Sequence, residues 1–236
     1  MGQYAIKDDY EHRTENATLE ENPGDYWDAK RMLFSRYVQW HVYDYAARQV
    51  REHGCKTVLD VGCGLGHKLI AQIAPLAEVT GVDQPTAVEV ANKLHPDHRF
   101  VSADIEKPDE TSLGAFDFVL CADVIEHLLD PDLLLRFITN HAHADSLIVV
   151  STVERDIRRG KDNRRSPKAE HVREWNLDEL GMYLRSFGFD VIDQQSLPAF
   201  RVGRSATMIK ERIRLIRKGI AYRYSQVALC RPPCDS

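Results

Sequence analysis

The sequence feature that most constrains the fold is a strand-like run that ends in closely spaced glycines. Residues 57–61 are mostly apolar or β-branched, Asp60 lies near their end, and Gly62, Gly64 and Gly66 follow at every second position. Glycines at this density would weaken a helix or a strand interior, so the segment predicts a buried strand that breaks into a tight turn. Its backbone N–H groups can approach a ligand closely, and a helix follows at once. The turn is therefore expected to hold a small polar molecule.

The spacing of these glycines separates two classes of binding loop. A dinucleotide-binding loop reads Gly-x-Gly-x-x-Gly, and its third glycine would fall at position 67, where this chain has His67. The pattern present is Asp-x-Gly-x-Gly-x-Gly, which resembles the first motif of the class I S-adenosylmethionine-dependent methyltransferases. That resemblance implies that the loop wraps the methionine part of the cofactor. A glycine-rich turn that binds no ligand is the alternative.

Composition limits the fold to one α/β domain with elaborations. The chain has 236 residues with 43% hydrophobic content, which is enough for one such domain. No run approaches the roughly 18 to 20 apolar residues that cross a bilayer, and residues 1–21 are too polar and acidic for a secretory signal. The cysteines are odd in number and form no paired framework, which predicts a reducing, cytoplasmic compartment. They are Cys55, Cys63, Cys121, Cys230 and Cys234.

Apolar runs and turn residues predict alternating strands and helices. The predicted strands cover 57–61, 78–82, 99–102, 116–121, 147–151, 189–193 and 225–230. The predicted helices cover 66–74, 85–94, 131–142 and 177–187, with one or two more over 25–53. This order predicts an α/β fold with a doubly wound, mostly parallel seven-stranded sheet. Residues 1–54 would form a polar segment and cap helices, and residues 55–236 a domain that binds its ligand at the carboxyl ends of the strands.

Polar residues follow successive predicted strands, as such a binding site requires. The second strand ends at Asp83 and Gln84, the third is followed by Asp104 and Ile105, and the fourth by Asp123. An ionised carboxylate only accepts hydrogen bonds, so Asp83 could accept both hydroxyls of a ribose. Asp104 could take an adenine amino group while Ile105 packs on the ring. A lone Asp at such a position is otherwise a helix cap or a loop residue, but three after three successive strands favour a site.

The resemblance to the class I methyltransferases extends over roughly residues 56–193, and it is to the ubiquinone-biosynthesis-like group. It rests on the glycine loop, on the acids after the strands, and on the run Phe-Asp-Phe-Val-Leu-Cys-Ala-Asp-Val-Ile-Glu-His over 116–127. It implies S-adenosylmethionine as the cofactor. The implied contacts are Asp60, Gly62, Cys63, Gly64 and Gly66 to the methionine part, Asp83 and Gln84 to the ribose, Asp104 and Ile105 to the adenine, and the backbone around Cys121 beside the cofactor.

Two histidines are candidates for the chemistry of the methyl acceptor. Methyl transfer from a sulfonium is an in-line displacement, so the protein mainly aligns the reacting atoms. A hydroxyl acceptor also gains from a general base, and histidine suits that role near neutral pH. His127 follows the fourth predicted strand, and His171 precedes the helix that Asn176 is expected to cap. Surface or capping histidines are the alternative for both.

A metal site is a second interpretation of the same residues. Asp123, Glu126 and His127, followed by His171, resemble the metal-binding Glu-x-x-Glu-His…His arrangement of the RNA 3′-end 2′-O-methyltransferases. Such ligands would suit Mg²⁺ or Mn²⁺. The first carboxylate here is Asp, which has a shorter reach, and the Glu-His pair also occurs in methyltransferases without a metal. The preferred prediction therefore has no metal.

Two basic segments stand out in an acidic chain whose formal net charge is −5. Residues 155–173 carry eight Lys or Arg against three acids, and residues 201–223 carry eight against one. They fall within two expected lid segments over the acceptor, about 153–175 and 198–224, the second being an insertion before the last strand. A positive lid would favour an anionic acceptor. The alternative is helical packing or homodimerisation, for which the apolar residues are Ile209, Ile213, Leu215 and Ile216.

These observations leave three predicted functions. The preferred one is O-methylation of a small acceptor that is anionic or sugar-containing, because 153–156 and 171–175 resemble methyltransferases of bacterial sugar and cell-surface glycan biosynthesis. The second is RNA methylation, in which the basic segments grip the nucleic acid and a metal could assist 2′-O-transfer. The third is a protein that binds the cofactor without turnover.

Overall fold

A seven-stranded sheet forms the centre of the computed structural model, which describes residues 2–15, 38–198, 213 and 225–233. The spatial order of the strands is β3-β2-β1-β4-β5-β7-β6, and β7 is antiparallel to both of its neighbours while β1 to β5 are parallel. The strands are β1 Thr57–Val61, β2 Glu78–Asp83, β3 Arg99–Ser102, β4 Phe116–Ala122, β5 Ala142–Val153, β6 Asp190–Leu197 and β7 Ser225–Arg231. The predicted doubly wound, mostly parallel sheet is confirmed.

Besides two short 3-10 helices, Gln3–Ala5 and Ile125–His127, six longer helices accompany the strands within the described ranges. They are α1 Trp40–His53, α2 Leu69–Ile73 with π-helical hydrogen bonding, α3 Pro85–Leu94, α4 Pro131–Asn140, α5 Arg155–Arg159 and α6 Leu177–Ser186. The cap predicted at Asn176 is confirmed, because Asn176 forms a capping box with Glu179, and Asp130 caps α4 by accepting from Asp132 N–H. None of these described helices is long and apolar enough to cross a membrane.

Some of the predicted segments lie outside the described residues. The helix predicted over 25–53 is described from Trp40 onward. Apart from Ile213, the second basic segment and the proposed dimer residues also fall outside the described ranges. The expected lid of 198–224 therefore stays a prediction.

The core has two parts because successive strand residues point to opposite faces of the sheet. On one face, Val58 and Phe118 pack with the buried side of α1 and α2. On the other face, Leu59 and Val119 pack with α4 and α6. Both faces are covered, which explains why β4 and the middle of β5 read as continuous apolar runs.

The order in which successive strands are added to the sheet reverses between β1 and β4. One run of crossovers builds β1, β2 and β3 outward, and the other starts at β4 and builds toward β5. The connections that leave β1 and β4 therefore run in opposite directions, which leaves a crevice between the loops that follow these two strands. Val61 lies beside Cys121 in the register of this pair, so the residues that follow each strand share one end of the sheet.

The N-terminal residues 2–15 cross the segment between α5 and α6. Glu11 N–H donates to Arg164 O at 2.7 Å, and Arg13 N–H donates to Val172 O at 3.0 Å. The Trp175 indole N–H donates to Tyr4 O at 3.0 Å. These bonds position residues 164–175 beside the carboxyl ends of the strands.

Candidate active site

The glycine loop after β1 requires glycine for two physical reasons. Gly62, Gly64 and Gly66 have φ values of 79°, 58° and 75°, in the left-handed region that favours glycine. A side chain would also collide with its surroundings, since a Cβ on Gly62 would overlap Val124 and one on Gly66 would lie 2.5 Å from Phe100 Cζ. The predicted glycine turn is present, and it is closely packed against the rest of the domain.

The loop is tied to β2 through backbone hydrogen bonds. Gly62 N–H and Cys63 N–H both donate to Val82 O, at 2.8 and 3.1 Å. The Cys63 side chain is buried and points away from the loop surface, because a Cβ on Gly81 would lie 2.7 Å from its sulfur. Cys63 can therefore meet a ligand only through its backbone.

Asp83 connects the end of β2 to the loop. Its carboxylate accepts Gly64 N–H and Gln84 N–H, each at 2.8 Å. Burial raises the pKa of Asp83, and these two hydrogen bonds oppose the shift. Each carboxylate oxygen has further acceptor capacity, so Asp83 can receive ligand hydroxyls while it supports the loop.

Asp60 is a fully buried carboxylate beneath the loop. Tyr43 on α1 donates its hydroxyl to Asp60 Oδ2 at 2.7 Å, and Oδ1 has no hydrogen-bond partner among the described residues. Burial raises the pKa of Asp60 to about 7, although Tyr43 and Lys68 oppose the shift. A buried acceptor without a donor is costly, which makes Oδ1 a natural position for a donor group on a ligand.

The remaining predicted cofactor residues differ in their exposure. Asp104 is exposed and accepts the Glu106 N–H at 3.0 Å, the behaviour of a loop residue that is still accessible to a ligand. Ile105 is half-buried against the core. The Cys121 side chain is fully buried, so only its backbone could flank a ligand, as the sequence predicts.

Three side chains after β4 and α5 form a compact group, here named the Glu–His cluster: Glu126, His127 and His171. One nitrogen or oxygen atom from each lies within 4.8 Å of the other two, and the two imidazole rings meet edge to face with centroids 4.9 Å apart. Glu126 Oε2 is buried and has no hydrogen-bond partner in the described part of the chain. Burial and Asp123 raise the pKa of Glu126 well above its ordinary value.

His127 is held as a neutral imidazole. Its Nδ1 lies 2.7 Å from Glu170 O, and a carbonyl only accepts, so Nδ1 carries the hydrogen. Burial, aided by the neighbouring His171, lowers the pKa of His127 to about 3. The lone pair of this neutral tautomer is therefore on Nε2.

His171 is oriented by a buried carboxylate. Its Nδ1 lies 2.7 Å from Glu174 Oε1, and Lys168 Nζ lies 3.3 Å from its Nε2. Burial lowers the pKa of His171. Burial would raise the pKa of Glu174, but hydrogen bonds from His171 and Arg159 hold it below its ordinary value. The geometry is thus a neutral imidazole that donates Nδ1–H to an ionised carboxylate.

Asp123 lies between the glycine loop and the Glu–His cluster. It adopts a left-handed backbone with φ of 55°, a conformation that is uncommon outside glycine. Ser151 donates its hydroxyl to Oδ1 at 3.0 Å and Gln39 donates its amide to Oδ2 at 3.1 Å. Such strain is often found at functional sites, and these bonds hold Asp123 at the crevice.

The first basic segment is less available to an acceptor than its net charge suggests. Arg155 pairs with Glu179, with Nη1–Oε2 2.6 Å and Nη2–Oε1 3.0 Å, and Arg159 pairs with Glu174. At least four of its eight basic residues are engaged with other groups, so the net charge of the segment overstates the positive surface that it offers, and the lid itself stays a prediction. These four are Arg155, Arg159, Arg164 with Asp9, and Arg173 over the Tyr4 ring.

Sequence reasoning missed four residues that shape the site. Tyr43 falls within the helix predicted over 25–53, and Glu174 within the segment 171–175 that resembles glycan methyltransferases, but the sequence gives neither a role in the site. Lys68 follows the glycine loop by only two residues, and that proximity was a usable signal. Gln39 precedes α1, and nothing in its local pattern indicates a contact with Asp123.

A parallel sheet of this order, with a glycine loop and acids at its crevice, is typical of an enzyme that binds a nucleotide-like cofactor. Comparison with known sequences identifies the family. A methyltransferase domain family model matches residues 30–194, more than half of the chain. The ubiquinone biosynthesis O-methyltransferase of Bradyrhizobium diazoefficiens is 30% identical over 190 residues, which cover 68% of this chain and 73% of the relative. The chain belongs to the class I S-adenosylmethionine-dependent methyltransferases.

Other relatives match over shorter lengths. The ubiquinone biosynthesis O-methyltransferase of Pseudomonas paraeruginosa is 34% identical over 108 residues, or 43% of this chain and 46% of the relative. The match covers 52% of the enzyme of the same name from Azorhizobium caulinodans. The chain therefore spans about half the length of these two curated relatives.

Solved structures share the fold at low sequence identity. A putative methyltransferase bound to the Haloferax volcanii Trm112 methyltransferase activator has a TM-score of 0.64 at 16% identity, covering 90% of this chain and 96% of that chain. The [4+2]-cyclase SpnF has a TM-score of 0.61 at 19% identity, with 81% of each chain covered. At such identities the likeness shows the fold alone.

Proposed function

We propose that this protein transfers a methyl group from S-adenosylmethionine to a hydroxyl of a small acceptor that is anionic or sugar-containing. The observation that carries the proposal is the convergence of two groups at the carboxyl ends of β1 and β4. One is the glycine loop with Asp60, and the other is the Glu–His cluster, with Asp123 between them. The relatives named above are ubiquinone biosynthesis O-methyltransferases, and their names support oxygen as the atom that is methylated.

The donor would lie along the glycine loop, with each part opposite a suitable group. The buried Asp60 Oδ1 suits the α-ammonium of the methionine part, and Gly62, Gly64 and Gly66 let the backbone approach it. Further contacts follow the strand order. They are Cys63 and Cys121 through their backbones, Asp83 and Gln84 to the ribose, and Asp104 and Ile105 to the adenine.

His171 is the better general base of the two histidines. Glu174 accepts its Nδ1–H and would stabilise the imidazolium that forms, as the carboxylate does in a catalytic triad. Lys168 Nζ, which lies 3.3 Å from His171 Nε2, would turn toward the acceptor and free the lone pair on Nε2. The acceptor hydroxyl would then give its proton to Nε2 while its oxygen attacks the methyl carbon. The electron pair of the carbon–sulfur bond would pass to sulfur and leave neutral S-adenosylhomocysteine. His127, whose pKa lies near 3, is too weak a base and would position the acceptor.

Support for an anionic or sugar-containing acceptor comes from a lysine that lies beside the candidate base. Lys168 is exposed and lies within 3.3 Å of His171 Nε2, where its ammonium could meet an anionic group beside the reacting hydroxyl. Because at least half of the basic residues in the first basic segment are engaged with other groups of the protein, a compact acceptor is favoured over an extended nucleic acid, which would require a continuous positive surface.

Metal-assisted O-methylation is a second candidate, which the spacing of the Glu–His cluster favours. A carboxylate and two neutral imidazoles within 4.8 Å of one another match the ligands of a divalent cation. Such a cation would lower the pKa of a bound hydroxyl and replace the general base. Both candidates use the same crevice.

One experiment tests the activity and separates these candidates. The protein, dialysed against EDTA, is incubated with tritiated S-adenosylmethionine and a panel of nucleotide sugars, sugar phosphates, phenols and RNA oligonucleotides. We expect transfer to one of the small hydroxyl acceptors without added metal. Transfer restored only by Mg²⁺, Mn²⁺ or Zn²⁺ would establish the metal candidate. Transfer to RNA alone would contradict the small acceptor, and cofactor binding without any transfer would favour the non-catalytic alternative.

A further inference from the structure

We propose that Lys168 blocks the lone pair of the His171 base until an anionic group of the acceptor draws the lysine away. The base then serves acceptors that carry an anion beside the reacting hydroxyl, and it is withheld from neutral hydroxyl compounds and from water. The inference rests on the proposed function and adds how that site selects its acceptor. It applies to the metal-free candidate, because a cation at the Glu–His cluster would itself need this lone pair.

The contacts at the two nitrogens of the His171 ring fix which atoms donate. Nδ1 lies 2.7 Å from Glu174 Oε1, and Nε2 lies 3.3 Å from Lys168 Nζ. A lysine ammonium can only donate a hydrogen bond, so Nε2 accepts it with its lone pair. The ring hydrogen is then on Nδ1, where the Glu174 carboxylate accepts it. The atom that would take the acceptor's proton is therefore occupied by Lys168.

Ser166 holds the backbone around this contact in place. Its hydroxyl donates to Glu174 Oε1 at 2.8 Å and accepts the Lys168 N–H at 3.2 Å, and only 3% of Ser166 is exposed. Arg13 donates to the Ser166 carbonyl at 3.0 Å. The two groups that face the nitrogens of the His171 ring thus share one buried anchor.

The side chain of Lys168 can leave the base without a change in this backbone. Lys168 is exposed, whereas His171 is buried, and a lysine carries its ammonium on a flexible stem of four carbons. Rotation of that stem uncovers Nε2 while Glu174 keeps the ring oriented. Exposed side chains change rotamer on a timescale of about picoseconds to nanoseconds, so the block opens quickly once a better partner for the ammonium is present.

An anion is such a partner. The imidazole offers the ammonium a neutral acceptor, whereas a phosphate or carboxylate adds the attraction between opposite charges. A neutral hydroxyl or a water molecule lacks this attraction and leaves Lys168 on Nε2. The group that binds the anion is thus the group that blocks the base, so binding of the correct acceptor and activation of the base become one event. Without an anion, the base is withheld from water, which protects the methyl donor from hydrolysis.

Nitrogen-15 NMR of the imidazole rings tests the block without donor or acceptor. The full chain, labelled at histidine, is dialysed against EDTA, and the His171 signals are assigned by their loss in His171→Gln. Inorganic phosphate is the probe, added at constant pH, with sodium chloride of equal ionic strength and glucose as references. We expect phosphate alone to move the Nε2 signal toward that of a nitrogen that accepts no hydrogen bond. Lys168→Met should show this position before phosphate is added.

Lys161→Met is the matched control, because Lys161 is an exposed lysine of the same segment, and it should respond as the wild type does. The proposal is overturned if phosphate leaves the wild-type Nε2 signal in place, or if chloride or glucose moves it as far. An Nε2 signal in Lys168→Met that matches the phosphate-free wild type would also overturn it. The measurement needs no methyl transfer, so a missing transferase activity would refute the proposed function and leave this result intact.

Discussion

The two halves of the crevice are built in different ways: the glycine loop with Asp60, which we propose as the donor half, and the Glu–His cluster, which we propose as the acceptor half. The glycine loop depends on backbone geometry and on bonds to the adjacent strand, with Gly64 N–H held by Asp83. The Glu–His cluster depends on side chains from distant segments, with His127 held by Glu170 O and His171 by Glu174. A rigid donor half can therefore serve many acceptors, while the acceptor half changes with the segments that form it.

We expect the largest effect from a substitution in the donor half. Gly62→Ala combines a left-handed backbone with overlap against Val124, so we expect a loss of about 2 to 4 kcal/mol in the free energy of unfolding and more than 100-fold weaker binding of S-adenosylhomocysteine. Thermal unfolding and calorimetry measure both.

Gly114→Ala is the matched control for this substitution. Gly114 also has a positive φ, of 88°, but a Cβ there would have no heavy atom within 4 Å. It should lose only about 1 to 2 kcal/mol of stability and keep its cofactor affinity. Equal losses of affinity in the two variants would show that overlap in the loop does not matter for binding.

The second prediction concerns the acceptor half. Glu174→Gln removes the carboxylate that accepts His171 Nδ1–H, so we expect kcat to fall roughly 10- to 100-fold with little change in the affinity for S-adenosylhomocysteine. Stability should fall as well, because Arg159 loses its buried partner. Steady-state kinetics is therefore run at a temperature at which circular dichroism shows the variant folded. Glu89→Gln, at an exposed ion pair, should match the wild type.

The third prediction uses the pKa of Asp60, which lies near 7 in the folded protein. An α-ammonium prefers the ionised carboxylate, so ligand binding releases a proton below pH 7. The affinity for S-adenosylhomocysteine should then fall up to about tenfold per pH unit as the pH drops from 7 to 5. Calorimetry in buffers of different ionisation enthalpy measures the released proton, and a pH-independent affinity would contradict the assignment.

Asp60 should also make the stability of the ligand-free protein depend on pH, in the direction opposite to its effect on ligand affinity. The folded pKa lies above the unfolded one, so between about pH 4 and 7 the folded state binds more protons than the unfolded state. The contribution of Asp60 to stability therefore decreases as the pH rises through this window. Asp60→Asn should remove both pH dependences.

Sequence reasoning succeeded where structure is decided locally. The helix Pro85–Leu94 and the strand Arg99–Ser102 have their predicted bounds, because proline, polar boundaries and apolar spacing all lie within a few residues of each end. Strand β5 begins at Ala142 rather than at the predicted Leu147. Residues 142–145 are alanines and polar residues that are exposed or half-buried, so no apolar run marks them, and the strand begins there because Ala142 pairs with Phe116 of β4.

The site also combines features that are decided locally with contacts that depend on the whole fold. The glycine loop and the acids after the strands could be located from the sequence, because strand ends are local features. The contact of Tyr43 with Asp60 and that of Gln39 with Asp123 could not, because each joins segments that only the folded chain brings together. The position of Lys68, two residues after the glycine loop, is visible in the sequence, but its contact with the Tyr43 ring is not.

The central claim is that the donor half binds S-adenosylmethionine and that His171 in the acceptor half accepts the proton of the acceptor. The most direct measurement is single-turnover methyl transfer in His171→Ala, beside calorimetry with S-adenosylhomocysteine, with the exposed His53→Ala as control. We expect His171→Ala to bind within about twofold of the wild type and to transfer at least about 100-fold more slowly, with His53→Ala unchanged. Transfer by His171→Ala at the wild-type rate would contradict the account.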